Sequence, residues 1–434
     1  MTAPDGAGTS EDRTIGARGA AAVGVASVVS AAAGYAVLAL AAQSLGAGMT
    51  TFLTFWSALF LVLGVLGGVQ NETTRAVRSA AMRDADAERA PRTGARTATT
   101  GLAVGGVLAV VVAASGVLWA PHLFGPGWPQ LLAALTVGGA LFSGHAAVAG
   151  ALAGAREWVP YATLVACEAA GRALLAGAVL LLGAATVGLA WGSALATGAW
   201  LLVAVFSPRT RAALTTRVDV ARRTLLRSTG HAMVAAASSA TLVVGFTVLL
   251  RLTTPAAEFD AAAPLILGVT VTRAPLLLPL LAYQGVAITY LLTHRERLGV
   301  ALARVVAAIC AAAAVAAAGA ATVGPPLMLW VFEEAGEIGG GLLAALVAAA
   351  AALAVVTITG AAALAAGEHR RYAVGWFVAT ATTVAVLLTD LPIGTRTVVG
   401  LVVGPLVGVA VHVRAITHPS RALPDRAGAG SADR

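Results

Sequence analysis

The chain has 434 residues, of which 59% are hydrophobic and only 11% charged, and its net charge is +8. Soluble domains carry about 25% charged residues, so this composition excludes an ordinary soluble domain and makes lipid the solvent. The two Cys, Cys167 and Cys310, both fall inside apolar runs, which excludes a disulfide framework and a zinc site built on Cys pairs.

Residues 1–18 are polar and rich in Gly and Ala, and predict a disordered cytoplasmic tail. A helix needs about 20 residues to cross the hydrocarbon of a bilayer. Apolar runs of that length predict spans at 19–42, 49–70, 99–120, 129–154, 160–182 and 187–206, which form an N-terminal six-helix lobe, residues 19–206. The first of them is too long for a cleaved signal peptide. Residues 207–228 predict a basic cytoplasmic linker. A C-terminal lobe, residues 229–413, follows with spans at 229–252, 263–292, 298–322, 339–366, 372–390 and 395–413, and residues 414–434 form a second cytoplasmic tail. The predicted fold is all-α and polytopic, with about twelve transmembrane helices in two six-helix, pseudo-symmetric lobes.

Charge fixes the expected orientation. All basic residues are Arg, and 24 of the 28 fall in the tails and in the segments between even and odd spans, with six between Arg75 and Arg96 and six between Arg209 and Arg227. Only Arg251 and Arg396 lie near the other side, against six carboxylates. By the positive-inside rule both termini are cytoplasmic. Trp119, Trp128, Trp158, Trp330 and Trp376 sit near predicted span ends, where interfacial anchors belong. The Arg are scattered over short loops without an aromatic platform, so nucleic acid is not an expected partner, whereas anionic lipid headgroups are.

The halves echo each other. LAGAREWVPYA (152–162) and LAAGEHRRYA (364–373) each end a small-residue helix in a charged turn before a Tyr opens the next helix, and Tyr161 and Tyr372 lie 211 positions apart. Transporters build alternating access from such repeats. Gly400, Gly404 and Gly408, and Gly150 with Gly154, make small-residue stripes that predict close helix packing.

No nucleophile elbow, phosphate-cradling Gly loop or His pair at metal spacing is found, so neither an enzyme, a metal site nor a bound cofactor is expected. His145 and His231 read as packing residues. The informative groups are charges inside spans, where each costs several kcal/mol and faces a cavity or a partner. Arg273 lies about ten residues into the eighth span, near mid-bilayer at 1.5 Å per residue, beside the helix breakers Pro275 and Pro279. It predicts either an anion clamp or a cap on freed carbonyls. Glu168 and Arg172, four residues apart on the fifth span, share a helical face and neutralise each other. They read as a structural pair or as the lining of a transport cavity, with Glu168 the first candidate for ion coupling. Gln284 is a weaker candidate for binding sugar or backbone groups.

The stretches AAQSLGAGMTTFLTFWSALFLVLGVLGGVQNETTRAV, LAGAREWVPYATLVACEAAGRALL and TRAPLLLPLLAYQG, within about residues 16–415, resemble the multidrug/oligosaccharidyl-lipid/polysaccharide (MOP) exporter superfamily, in particular its oligosaccharide flippases. The resemblance implies a bacterial cytoplasmic membrane protein that moves an undecaprenyl-diphosphate-linked sugar to the outer leaflet, with glycosyltransferases or a polymerase as partners. It also implies a diphosphate contact for an Arg of the eighth helix, the place Arg273 occupies. The chain departs from the related lipid flippases in having no Arg deep in its first two helices; Arg18, at the membrane edge, is the nearest. A cation-coupled exporter of the multidrug and toxin extrusion (MATE) type is the alternative, and a non-transporting scaffold for polysaccharide assembly the third. The Gly-rich, Asp-containing motif expected of a major-facilitator transporter after its second span is missing from NETTRAVRSAAMRDADAERA.

Overall fold

A computed structural model describes residues 16–86, 94–183, 185–273, 298–332, 337–366 and 368–417. Helices account for nearly all of them, and the β-pairing among them is an isolated antiparallel bridge between Arg96 and Arg217. The first half runs α1 (Ala17–Ser44), α2 (Met49–Asp86), α3 (Thr97–Phe124), α4 (Trp128–Gly154), α5 (Trp158–Leu181), α6 (Thr186–Ala196), α7 (Ala199–Phe206) and α8 (Pro208–Thr215). The second runs α9 (Arg222–Val243), α10 (Phe246–Thr253), α11 (Ala256–Asp260), α12 (Ala263–Arg273), α13 (Leu298–Thr322), α14 (Gly324–Val331), α15 (Gly340–Ala365), α16 (His369–Leu387) and α17 (Ile393–Thr417).

Each expected span meets a helix or a broken pair. The sixth is α6 and α7, interrupted at Thr197–Gly198, and the seventh is α9 and α10, bent by 67° at Val244–Gly245. Of the eighth, α12 is described, and Gln284 with the rest of that span lies outside the described residues. Among the described residues, eight helical stretches are long and apolar enough to cross a membrane, or nine with the bent pair. One of them, Thr97–Gly154, contains both α3 and α4. The chain is a multi-pass membrane protein.

Two expectations need correction. The segment from Arg75 to Arg83 is not loop but a continuation of α2, a 38-residue helix. Its sequence, TTRAVRSAAMRDAD, is rich in helix formers, and buried Glu72 accepts two hydrogen bonds from Arg75 one turn on, at 2.5 and 2.8 Å. Trp376, expected as an interfacial anchor, is 1% exposed inside α16.

By its internal contacts the chain falls into two compact units: Met1–Leu278 with Val323–Gly339, and Pro279–Thr322 with Gly340–Arg434. This division does not follow the lobe boundaries read from the repeat, because α9 packs along α2 within the first unit. Small residues permit that approach: a Cβ on Gly68 would collide with the backbone of Ala232 and Met233, and one on Gly64 would lie 2.7 Å from the Ala240 side chain. In the same unit α1 lies on α5, and α4 packs on α2, α3 and α6. The Gly150–Gly154 stripe faces Gln70, Thr73 and Val77 of α2, as expected of a packing stripe. In the second unit α17 packs on α15 and α16, with Gly404 and Gly408 against Thr383 and Ala379.

The sequence echo at Tyr161 and Tyr372 is matched bond for bond. Ala155 N donates to Ala151 O, Glu157 N to Leu152 O and Tyr161 N to Glu157 O. At an offset of 211 throughout, Ala366 N donates to Ala362 O, Glu368 N to Ala363 O and Tyr372 N to Glu368 O. Five residues fewer in α16 than in α5 mark where the copies diverge in length, 19 against 24.

Candidate functional site

The charged pair on α5 is the centre of the first unit's cavity. Glu168 lies ten residues into α5, about 15 Å along a helix long enough to span the bilayer. Arg172 Nη2 donates to Glu168 Oε1, and both residues are buried, 6% and 8% exposed. The guanidinium also lies over two rings of α2, 4.8 Å from the centroid of Phe60 and 5.7 Å from that of Trp56. Cation–π attraction is strongest where water is excluded, so the pair and the two rings together hold the charge in place.

Around this group opens a cavity of about 510 Å³, walled by α1, α2, α4 and α5, with Val244 and Thr270 also on its lining. Its polar wall includes Ser30 and Tyr35 of α1, Gln70 of α2, His145 of α4 and Tyr161 of α5. Two of these are tied into the fold: Tyr35 Oη donates to Val271 O at 2.9 Å, and Gln70 Nε2 donates to Tyr161 Oη at 3.4 Å. Three buried atoms have no hydrogen-bond partner among the described residues: Ser30 Oγ, His145 Nδ1 and Arg172 Nε. Buried polar atoms are nearly always satisfied, and three orphans on one cavity wall are what a polar ligand or ordered water would satisfy.

Arg273, the foremost candidate from the sequence, is elsewhere. It is the last described residue of α12 and 8% exposed, its Nη1 donates to Leu242 O at 3.0 Å and Val243 O at 3.1 Å, and the guanidinium stacks on Phe246 at 5.0 Å. These carbonyls lose their helical partners where α9 bends into α10, and Ser57 Oγ donates to the next one, Val244 O, at 2.6 Å. These two bonds are those of a carbonyl cap, while Nη2 has no hydrogen-bond partner among the described residues, and Arg273 is not among the residues lining the cavity. Arg273→Ala is therefore expected to lower stability by about 1–3 kcal/mol through unsatisfied carbonyls, read as a lower melting temperature in detergent. A variant of normal stability that has lost transport would restore the clamp role.

His145 was read as packing. Its ring does stack on Phe142, 5.0 Å away at 11°, but Nδ1 points to no described partner and the residue lines the cavity. A lone His in an apolar helix gives no sign of this, since the packing of α4 against α5 is a tertiary fact. His412 in the second unit is the contrasting case, fully buried with Nε2 3.1 Å from Tyr372 O and Nδ1 3.3 Å from Thr359 Oγ1.

This arrangement of helices is the fold of MOP superfamily transporters. A MOP superfamily transporter from Pyrococcus furiosus superposes with a TM-score of 0.65 at 16% identity, covering 92% of this chain and 96% of the other. A Vibrio cholerae MATE transporter, VcmN, gives 0.57 at 16% identity over 92% and 98%. An inward-facing multidrug resistance MATE transporter of the same superfamily gives 0.63 at 14% identity over 90% and 98%. At such identities the likeness establishes the fold. No protein-family model matches the chain. In sequence it belongs to one family with the Mycobacterium tuberculosis proteins Rv3630 and Rv1510, to which it is 40% identical over 419 and 407 residues, covering 95% and 92% of each partner.

Proposed function

We propose that this chain is a transporter of the MOP superfamily that carries an undecaprenyl-diphosphate-linked oligosaccharide from the inner to the outer leaflet of the bacterial cytoplasmic membrane by alternating access. Both termini face the cytoplasm, anionic lipids surround the basic cytoplasmic segments, and glycosyltransferases or a polymerase supply and consume the cargo. The observation that carries this reading is the buried guanidinium of Arg172, which lines the cavity and has an unpartnered Nε. Arginine is the side chain suited to phosphate because its planar fork can donate two hydrogen bonds. Arg172, rather than Arg273, is the group that meets the diphosphate, and the Trp56 and Phe60 faces beside it suit the apolar faces of sugar rings.

A second reading rests on Glu168. It is the carboxylate on the cavity wall, the kind of group a cation-coupled exporter of the MATE type requires, and solved structures of that type share the fold. The two readings part on cargo. In vesicles reconstituted with a fluorescent short-chain polyprenyl-diphosphate saccharide, the wild-type chain moves the probe between leaflets. The double variant Glu168→Gln with Arg172→Gln, which removes both charges together, does not, and Arg172→Lys keeps only part of the rate. Undiminished movement by the double variant overturns the assignment, and efflux of cationic drugs without movement of the saccharide favours the exporter.

A further inference from the structure

Among the described residues the cavity wall contains one Arg and one carboxylate, bonded to each other. In the empty site Arg172 and Glu168 neutralise each other in a buried setting, with the guanidinium backed by Phe60 and Trp56. The other polar groups lining the cavity are Ser30 and Tyr35 from α1, Gln70 from α2, His145 from α4, Tyr161 from α5 and Thr270 from α12. No second cation lines the cavity among the described residues. A phosphate that takes the Nε–Nη2 edge of Arg172 bidentately uses the free Nε together with the Nη2 that Glu168 now holds, and so leaves the Glu168 carboxylate buried, without its hydrogen-bonded counter-ion and next to another anion. Each of those conditions disfavours its ionised form, and an unpaired buried charge is among the costliest arrangements a fold can hold.

We propose that an anionic ligand entering this cavity takes over the Arg172 guanidinium, and that Glu168 takes up one proton from water as it is released, so that anion and proton are bound together. The inference rests on the reading of Arg172 as the phosphate-binding group and adds to it the fate of the carboxylate. In the step, the Arg172–Glu168 hydrogen bond breaks, an Arg172–phosphate hydrogen bond forms, and Glu168 goes from carboxylate to carboxylic acid. The protonated acid then has an O–H to donate, and the same cavity wall carries two unpartnered acceptors, Ser30 Oγ and His145 Nδ1. The charge of the site with its ligand is one unit less negative than the ligand's own charge would make it.

The test uses the full chain in detergent and geranyl diphosphate as probe, with geraniol as the uncharged control. Near pH 8 a phosphate ester is almost fully ionised, so the probe itself contributes little to proton exchange. Titration calorimetry in two buffers of different ionisation enthalpy gives the number of protons taken up per probe bound. Wild type is expected to take up close to one, with affinity rising about tenfold per unit fall in pH above neutrality. In Glu168→Gln the amide oxygen still accepts from Arg172, so the fork stays in place, the probe still binds, and uptake falls to near zero. Binding by wild type without proton uptake overturns the coupling and leaves the phosphate reading standing. Absence of binding overturns both. Uptake that persists in Glu168→Gln and disappears in His145→Phe moves the proton to His145 and overturns the assignment to Glu168.

Discussion

Arg172→Ala is expected to be the most damaging truncation in the cavity, costing about 3–5 kcal/mol of stability, because it leaves the Glu168 carboxylate buried without its partner. The cost comes from the abandoned charge more than from the lost bond. Removing both charges, in Glu168→Gln with Arg172→Gln, should therefore restore most of the stability, since replacing a whole buried pair is often near neutral. Thermal unfolding of the detergent-solubilised protein measures this directly, with the single variant well below wild type and the double variant close to it. Equal melting temperatures for wild type and Arg172→Ala would mean that Glu168 finds another partner or reaches water.

Gly68→Leu is expected to separate α9 from α2. A Cβ at this position would overlap backbone atoms of Ala232 and Met233, and backbone, unlike the end of a flexible side chain, has nowhere to go. Overpacking costs about 1–3 kcal/mol where side chains can adjust, and here the loss should reach or exceed the upper end of that range. Gly67 supplies the control on the same helix, since a Cβ there meets no atom within 4 Å. A pair of cysteines across α2 and α9 should crosslink readily in wild type and in Gly67→Leu, and poorly in Gly68→Leu. Equal crosslinking in all three would show that the contact tolerates bulk.

Much of the fold was legible because lipid imposes a length on apolar runs: the expected spans and the helices agree to within a few residues at most ends. Where they disagree, a local cause can be named. The apolar run of the second span ends at 70, whereas Glu72 and Arg75 satisfy each other and α2 continues to Asp86. Breaks within spans were less legible. Gly198 and Gly245 sit at the two interruptions, but Gly is common throughout the chain, and only contacts from other helices, such as Thr197 Oγ1 on Gly138 O, show which ones matter.

The site was half legible. The four-residue spacing of Glu168 and Arg172 announced a shared helical face, and the pair is there. Arg273 meets backbone carbonyls and Arg172 lines a cavity, and nothing in the order of residues along one helix records what a neighbouring helix leaves unbonded. For the same reason Ser30 carries no signal in the sequence and His145 reads there as a packing residue. Their importance comes from lacking a partner, a property of the packed molecule.

The bend between α9 and α10 is fastened from two directions, by Ser57 of α2 and Arg273 of α12. Straightening it would return the carbonyls of residues 242–244 to a continuous helical ladder and release both side chains at once. The joint is therefore geared: any stroke that alters its angle must also turn a buried cation loose and shift two further helices, which makes the angle a setting of the whole unit and not of one segment.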